Sequence, residues 1–62
     1  MSAVFTCNEV PDDELAVYDA GDDELQLEIR NKYDGYLGSV FLIPEEIERL
    51  YVYLGKHLGM QE

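Results

Sequence analysis

A chain of 62 residues with one cysteine excludes an internal disulfide, and one cysteine with one histidine excludes a Cys₂His₂ zinc site. Fourteen acidic and four basic residues give a formal net charge of −10, which disfavours direct binding to nucleic acid. No apolar run approaches the roughly 20 residues of a membrane-spanning helix. We therefore expect one domain, residues 1–62, in which self-association or a partner supports a small core. The lone thiol and the lack of a signal-peptide pattern predict a cytoplasmic protein.

Three segments of the first half have the character of β-strands. Residues 3–10 and 14–20 are rich in β-branched, aromatic and other apolar types. Residues 24–30 alternate strictly between apolar and polar side chains, which is typical of a half-buried strand. The turn formers Pro11-Asp12-Asp13 and Gly21-Asp22-Asp23 separate these segments.

A fourth strand, residues 36–43, follows the pair Asp34-Gly35, which is typical of a two-residue type I′ hairpin turn. That turn predicts a register in which Ile29 faces Val40, so apolar side chains meet apolar side chains. The preceding hairpin has two possible registers. A three-residue loop pairs Val17 with Leu25, which the apolar pattern favours, and a two-residue loop pairs Tyr18 with Leu25.

A helix is predicted to begin at Pro44, because proline is tolerated at the first helical position. Glu45 and Glu46 in the first turn suit the helix dipole, and Gly59 is suited to the C-terminal cap. The predicted fold is α+β, an antiparallel β-β-β-β-α meander with one C-terminal helix packed on one sheet face. The expected core residues are Leu15, Val17, Leu25, Leu27, Ile29, Val40, Leu42, Ile47, Leu50, Tyr51 and Leu54.

Charge is unevenly distributed along the chain. Residues 1–28 contain nine acidic residues and no Lys or Arg, whereas residues 29–62 contain five acidic residues and all four basic ones. This asymmetry predicts a strongly negative end of the fold. The predicted acidic interaction surface consists of Asp12, Asp13, Glu14, Asp19, Asp22, Asp23, Glu24 and Glu28.

The first functional hypothesis is a small acidic protein-binding module whose partner is a basic protein surface. One form of it is a nucleic-acid mimic that inhibits a nucleic-acid-binding protein by occupying its basic groove. In size, acidity and the lack of catalytic motifs the chain is similar to small phage-encoded inhibitors of host nucleic-acid enzymes. The competing interpretation is that the acidity serves solubility or adaptation to high salt.

The second hypothesis is a self-associating structural or regulatory protein, most simply a homodimer. Several apolar side chains fall outside the predicted core, and exposed groups of this kind often mark an interface. The predicted apolar interface consists of Leu37, Phe41, Ile43, Val52 and Tyr53.

Catalytic and metal sites find no support in the sequence, so we predict no enzyme activity, no cofactor and no metal. An EF-hand loop starting at Asp19 needs a glutamate where Arg30 stands. Cys7 and His57 are the one Cys–His pair, and nothing in their spacing indicates a catalytic dyad.

The second half of the chain resembles a known family. A strand with Ile29-Arg30, a turn, a strand and then Pro44-Glu45-Glu46-Ile47-Glu48-Arg49-Leu50 are similar to the strand–helix ending of positive cofactor 4 type coactivators, which bind single-stranded DNA. That resemblance implies a strand–helix ending of the same kind. Those proteins grip the nucleic-acid backbone with basic, aromatic strands, whereas this chain has the opposite charge, so their function is not carried over.

Overall fold

The computed structural model describes residues 2–59 and contains one antiparallel sheet followed by one helix. The strands are adjacent in the order in which they occur along the chain. The elements are β1 (Ser2–Thr6), β2 (Asp13–Gly21), β3 (Glu24–Asn31), β4 (Gly35–Leu42) and α1 (Pro44–His57). The predicted α+β meander with a C-terminal helix is confirmed.

β1 ends at Thr6, four residues earlier than predicted. The backbone N–H of Cys7 donates to the carbonyl of Asp13 at 3.0 Å, and the N–H of Asp13 donates to the carbonyl of Val10 at 2.8 Å. These bonds close the chain into a compact loop, so the apolar residue Val10 lies in a turn and not in a strand.

The two sides of the sheet differ sharply in chemistry, as the strand pairings show. Directly opposite residues share a side, and side chains alternate along each strand. We call one side the apolar face; its apolar members are Ala3, Phe5, Leu15, Val17, Leu25, Leu27, Ile29, Val40 and Leu42. We call the other side the polar face; its members include Thr6, Glu14, Ala16, Tyr18, Gln26, Glu28, Arg30, Ser39 and Phe41.

The predicted register of the last hairpin is wrong by two residues, because Leu27 pairs with Val40. The side chain of Asn31 explains the difference. Its Oδ1 accepts hydrogen bonds from the backbone N–H groups of Tyr33 and Asp34, at 2.8 and 3.0 Å, and so forms a wider turn than the predicted one. A bulge in β4 then accompanies the pairing. A shift of two residues leaves the β4 side chains from Gly38 to Leu42 on their predicted faces, whereas the bulge places Tyr36 opposite Arg30, on the polar face.

Both registers considered for the hairpin of β2 and β3 are also wrong, since Val17 pairs with Leu27. The turn has two central residues, Asp22 and Asp23, with φ of 51° and 64°. The register of the strand pairing shifts just before the turn, between Asp19 and Gly21. Two successive positive φ angles are those of a type I′ turn, whose twist matches that of the strands.

α1 lies on the apolar face, mainly against β3 and β4. Ile43 precedes it in an extended conformation, and Gly59 follows with φ of 77°, as expected for a left-handed helix end. A helix about 10 Å across covers about two strands spaced about 4.8 Å apart, so it cannot cover a four-stranded face.

The core is correspondingly incomplete. Among residues 2–59, Ala16 is the one fully buried residue, and it lies on the polar face. The expected core residues Leu15, Val17, Leu25, Leu27, Leu42, Ile47 and Leu50 are half-buried. The prediction is wrong for four others, which are exposed in the single chain: Ile29, Val40, Tyr51 and Leu54.

Candidate functional site

The turn between β2 and β3 concentrates carboxylates at one end of the sheet. Asp19, Asp22, Asp23 and Glu24, here called the acidic turn, line a shallow depression of about 510 Å³. The first three are exposed and Glu24 is half-buried. The hairpin presents them at its tip, so a partner can reach them without rearrangement of the sheet.

Three carboxylates of this turn, those of Asp22, Asp23 and Glu24, form no ion pair with a lysine or arginine among the residues described. The helix begins at the same end of the sheet, because β4 ends opposite Leu25, and its first turn contributes Glu45. This end of the molecule therefore carries a negative field.

The structure divides the predicted acidic interaction surface. Asp12 and Asp13 lie at the other end of β2, and a nine-residue strand at about 3.3 Å per residue separates its ends by about 26 Å. The N–H of Lys32 donates to the carbonyl of Asp12 at 2.9 Å, which brings a basic residue next to these acids. The expectation of a single negative end formed by all eight residues is therefore wrong.

Glu14 and Glu28 form a third group, in the middle of the polar face, and both are near Arg30. The Nε of Arg30 donates to Oε2 of Glu14 at 2.7 Å, and Nη1 lies 3.9 Å from Oε2 of Glu28. Nη1 also donates to the hydroxyl of Tyr18 at 2.8 Å, across Ala16. The hydrogen bond to Glu14 raises the pKa of Arg30, so the guanidinium keeps its charge and neutralises these carboxylates.

The predicted apolar interface is also divided. Phe41 faces Gln26 on the polar face, whereas Val52 and Tyr53 line a groove on the apolar face. Leu37 lies at the bulge of β4 and Ile43 at the helix start. All five side chains are exposed, but no single flat surface joins them.

A groove of about 840 Å³ lies between the sheet and the helix. Leu27 and Leu42 form its floor and Leu50 is on its helical wall. These residues were expected in a closed core, but they line an open groove. The signal that could have revealed the groove is the width of four strands compared with that of one helix. The charged side chains along the groove are Glu46, Glu48, Arg49 and Lys56.

Cys7 and His57, the one Cys–His pair, lie in different parts of the described structure. Cys7 follows β1, and its Sγ accepts a hydrogen bond from the N–H of Val10 at 3.3 Å. His57 is exposed at the end of α1, and no hydrogen bond joins it to Cys7 in the part of the chain described. Within residues 2–59, no group of three or more potential ligands is placed to hold a metal ion. None of the helices described there is both long and apolar enough to cross a membrane.

No protein-family model, curated protein or solved structure matches this chain.

Proposed function

We propose that this protein is a non-catalytic acidic binding module whose acidic turn docks on a basic surface of another protein. The observation that carries the proposal is the group of carboxylates at one hairpin tip, with Asp22, Asp23 and Glu24 outside any described ion pair. Such a group attracts clustered Lys and Arg side chains and steers their approach. The set is narrower than the eight residues expected from the sequence.

The backbone of the turn supports the same proposal. Asp22 and Asp23 both adopt positive φ angles. Aspartate is common at the first of these two positions, whereas the second, occupied by Asp23, is usually glycine. Two like charges side by side also repel each other. A carboxylate at Asp23 costs local stability, and a role of its charge in binding explains why it is there.

The partner surface that fits best is a groove in which a protein binds nucleic-acid phosphates. Its basic side chains are spaced to receive successive negative groups, and the acidic turn supplies successive carboxylates on a rigid hairpin. The protein would then act as an inhibitor that competes with nucleic acid for one short stretch of the groove.

The test is affinity capture from the native host, quantified by mass spectrometry, with three forms of the full chain. The forms are the wild type, the triple variant Asp22→Lys, Asp23→Lys, Glu24→Lys, and a control, Glu9→Lys, Asp12→Lys, Asp34→Lys. Both variants change the net charge equally, and the control residues lie in the β1–β2 loop and the β3–β4 turn, at the other end of the sheet. We expect the amount of basic protein captured by the turn variant to fall by at least about 100-fold relative to the wild type. The control should capture most of the wild-type amount.

Equal losses in the two variants would show that only overall charge matters and would overturn the proposal. Retention by the turn variant would overturn it too. Adding a nucleic-acid duplex to the captured complex tests the inhibitory mode, because a competitor for the same groove must be displaced.

A further inference from the structure

We propose that a second copy of this chain covers the apolar face and the adjoining groove, forming a twofold-symmetric homodimer. The apolar face meets the acidic turn only at Asp19, and the inference does not depend on the proposed function.

The accessible surface is the first argument. The chain exposes 5097 Å², whereas a compact monomer of 7.1 kDa exposes about 4,100 Å². Its radius of gyration is 13.0 Å, compared with about 10.6 Å for a compact domain of this length. The excess of about 1,000 Å² is close to the surface that each chain of a stable dimer buries, about 800 Å² or more.

Several of the exposed apolar side chains lie on the side where the helix leaves the sheet uncovered. Phe5, Ile29 and Val40 on the apolar face are each about half exposed, and Leu54 on the helix is as well. Tyr51 is 76% exposed although it lies on the helical stripe predicted for the core. Apolar side chains at this density on one side of a soluble chain indicate a surface that is covered in the working protein.

Charge placement favours a second copy as the cover. Each chain carries a net charge of −10, so two copies associate only if their carboxylates stay out of the contact. Glu14, Glu28 and the Arg30 that neutralises them lie on the polar face, away from the proposed contact. On the apolar face, the acidic residues of β2 are confined to its ends, at Asp13 and Asp19.

The border of the groove is self-complementary in charge. It has two acidic side chains, Glu46 and Glu48, and two basic ones, Arg49 and Lys56. Glu46 and Arg49 already pair with each other within the helix, at 3.0 Å. In a twofold interface the same patch meets itself, so Glu48 of one copy can pair with Lys56 of the other. An anionic lipid surface, by contrast, would repel a chain of this charge.

The shortage of core makes the cover a condition of folding. With Ala16 as the one fully buried residue among those described, the single chain buries too little to offset its conformational entropy. The molecule that buries the apolar face must then be present whenever the chain is synthesised. A second copy of the chain meets that condition.

The first test is the mass of the wild-type chain by light scattering and sedimentation equilibrium at micromolar concentration. We expect twice the 7.1 kDa chain mass, and a thermal midpoint that rises as the protein is concentrated, because folding and association are linked. A monomer that unfolds cooperatively with a midpoint independent of concentration would overturn the proposal.

The second test locates the interface with Val40→Glu and its matched control Phe41→Glu. These neighbours are 55% and 59% exposed in the single chain, and they lie on opposite faces. We expect Val40→Glu to weaken self-association by at least about 100-fold, because it buries an unpaired carboxylate in each copy, and Phe41→Glu to change it less than about threefold.

A Val40→Glu chain that is unfolded while Phe41→Glu is a folded dimer also supports the proposal, because a stable monomer tolerates a charge at a half-exposed position. A dimer that survives Val40→Glu but is split by Phe41→Glu would place the interface on the polar face and overturn it. A wild-type chain that stays monomeric and folds only with phosphatidylcholine vesicles would assign the apolar face to lipid instead.

Discussion

Asn31 makes three hydrogen bonds with one side chain and thereby decides the pairing of β3 with β4. Its Oδ1 accepts from two backbone N–H groups of the turn, and its Nδ2 donates to Oδ1 of Asp13 at 2.7 Å across the sheet. A local side-chain bond of this kind competes with the turn that the backbone would otherwise adopt. Here it prevails over the Asp34-Gly35 type I′ turn.

Replacing Asn31 with alanine should therefore destabilise the protein by about 1–2 kcal/mol, since it removes two turn bonds and one cross-strand bond. Urea denaturation at fixed protein concentration measures the change. The control is Asp13→Ala, which removes the cross-strand bond and leaves both turn bonds in place. Equal losses in the two variants would contradict the role assigned to the turn.

At the scale of the element, the acidic turn shows a conflict between local stability and charge. The hairpin has the backbone of a type I′ turn, yet aspartate occupies the second central position, Asp23, where glycine is preferred. Asparagine and glycine fit that backbone with less strain. The hairpin of β2 and β3 is therefore less stable than the same strands with an optimised turn.

Asp23→Gly should accordingly raise the free energy of unfolding by about 0.5–1 kcal/mol. Asp23→Asn is the matched control, because it removes the charge and keeps a side chain in the left-handed conformation. The difference between the two variants, measured by chemical denaturation, isolates the conformational part. If the asparagine variant gains as much as the glycine variant, like-charge repulsion is the whole effect and the strain argument fails.

At the scale of the whole molecule, the two proposed contacts have opposite electrostatics. The acidic turn would meet a basic partner, so salt screens an attraction. The apolar face would meet a second chain of the same net charge of −10, so salt screens a repulsion.

Raising sodium chloride from about 0.05 to 0.5 M should therefore weaken partner binding by at least about tenfold and tighten self-association several-fold. Titration calorimetry measures the affinity for the partner, and sedimentation equilibrium measures self-association. Salt effects of the same sign on both would show that one of the two surfaces is assigned to the wrong kind of partner.

The order of the elements and the faces of the apolar side chains in β3 and in residues 38–42 of β4 follow from the sequence alone. Alternation in residues 24–30 predicted which side chains of β3 share a side, and Pro44 predicted where the helix begins. These features survive the register errors because strand side chains repeat every two residues and both hairpins moved by two. The position of Asp22 and Asp23 in a turn was likewise evident.

Only the tertiary structure decided which of these residues lie together. Asp13 and the acidic turn lie at opposite ends of the nine-residue strand β2, which are about 26 Å apart. The acidic surface that was predicted as one is therefore divided into separate groups. The helix likewise has a predictable apolar stripe, but the area it covers depends on the width of the sheet beneath it. Local sequence patterns determine the secondary structure and the face on which a side chain lies. The sheet area that the helix covers, and the acidic side chains that lie together, depend on distances between elements that are remote in the chain.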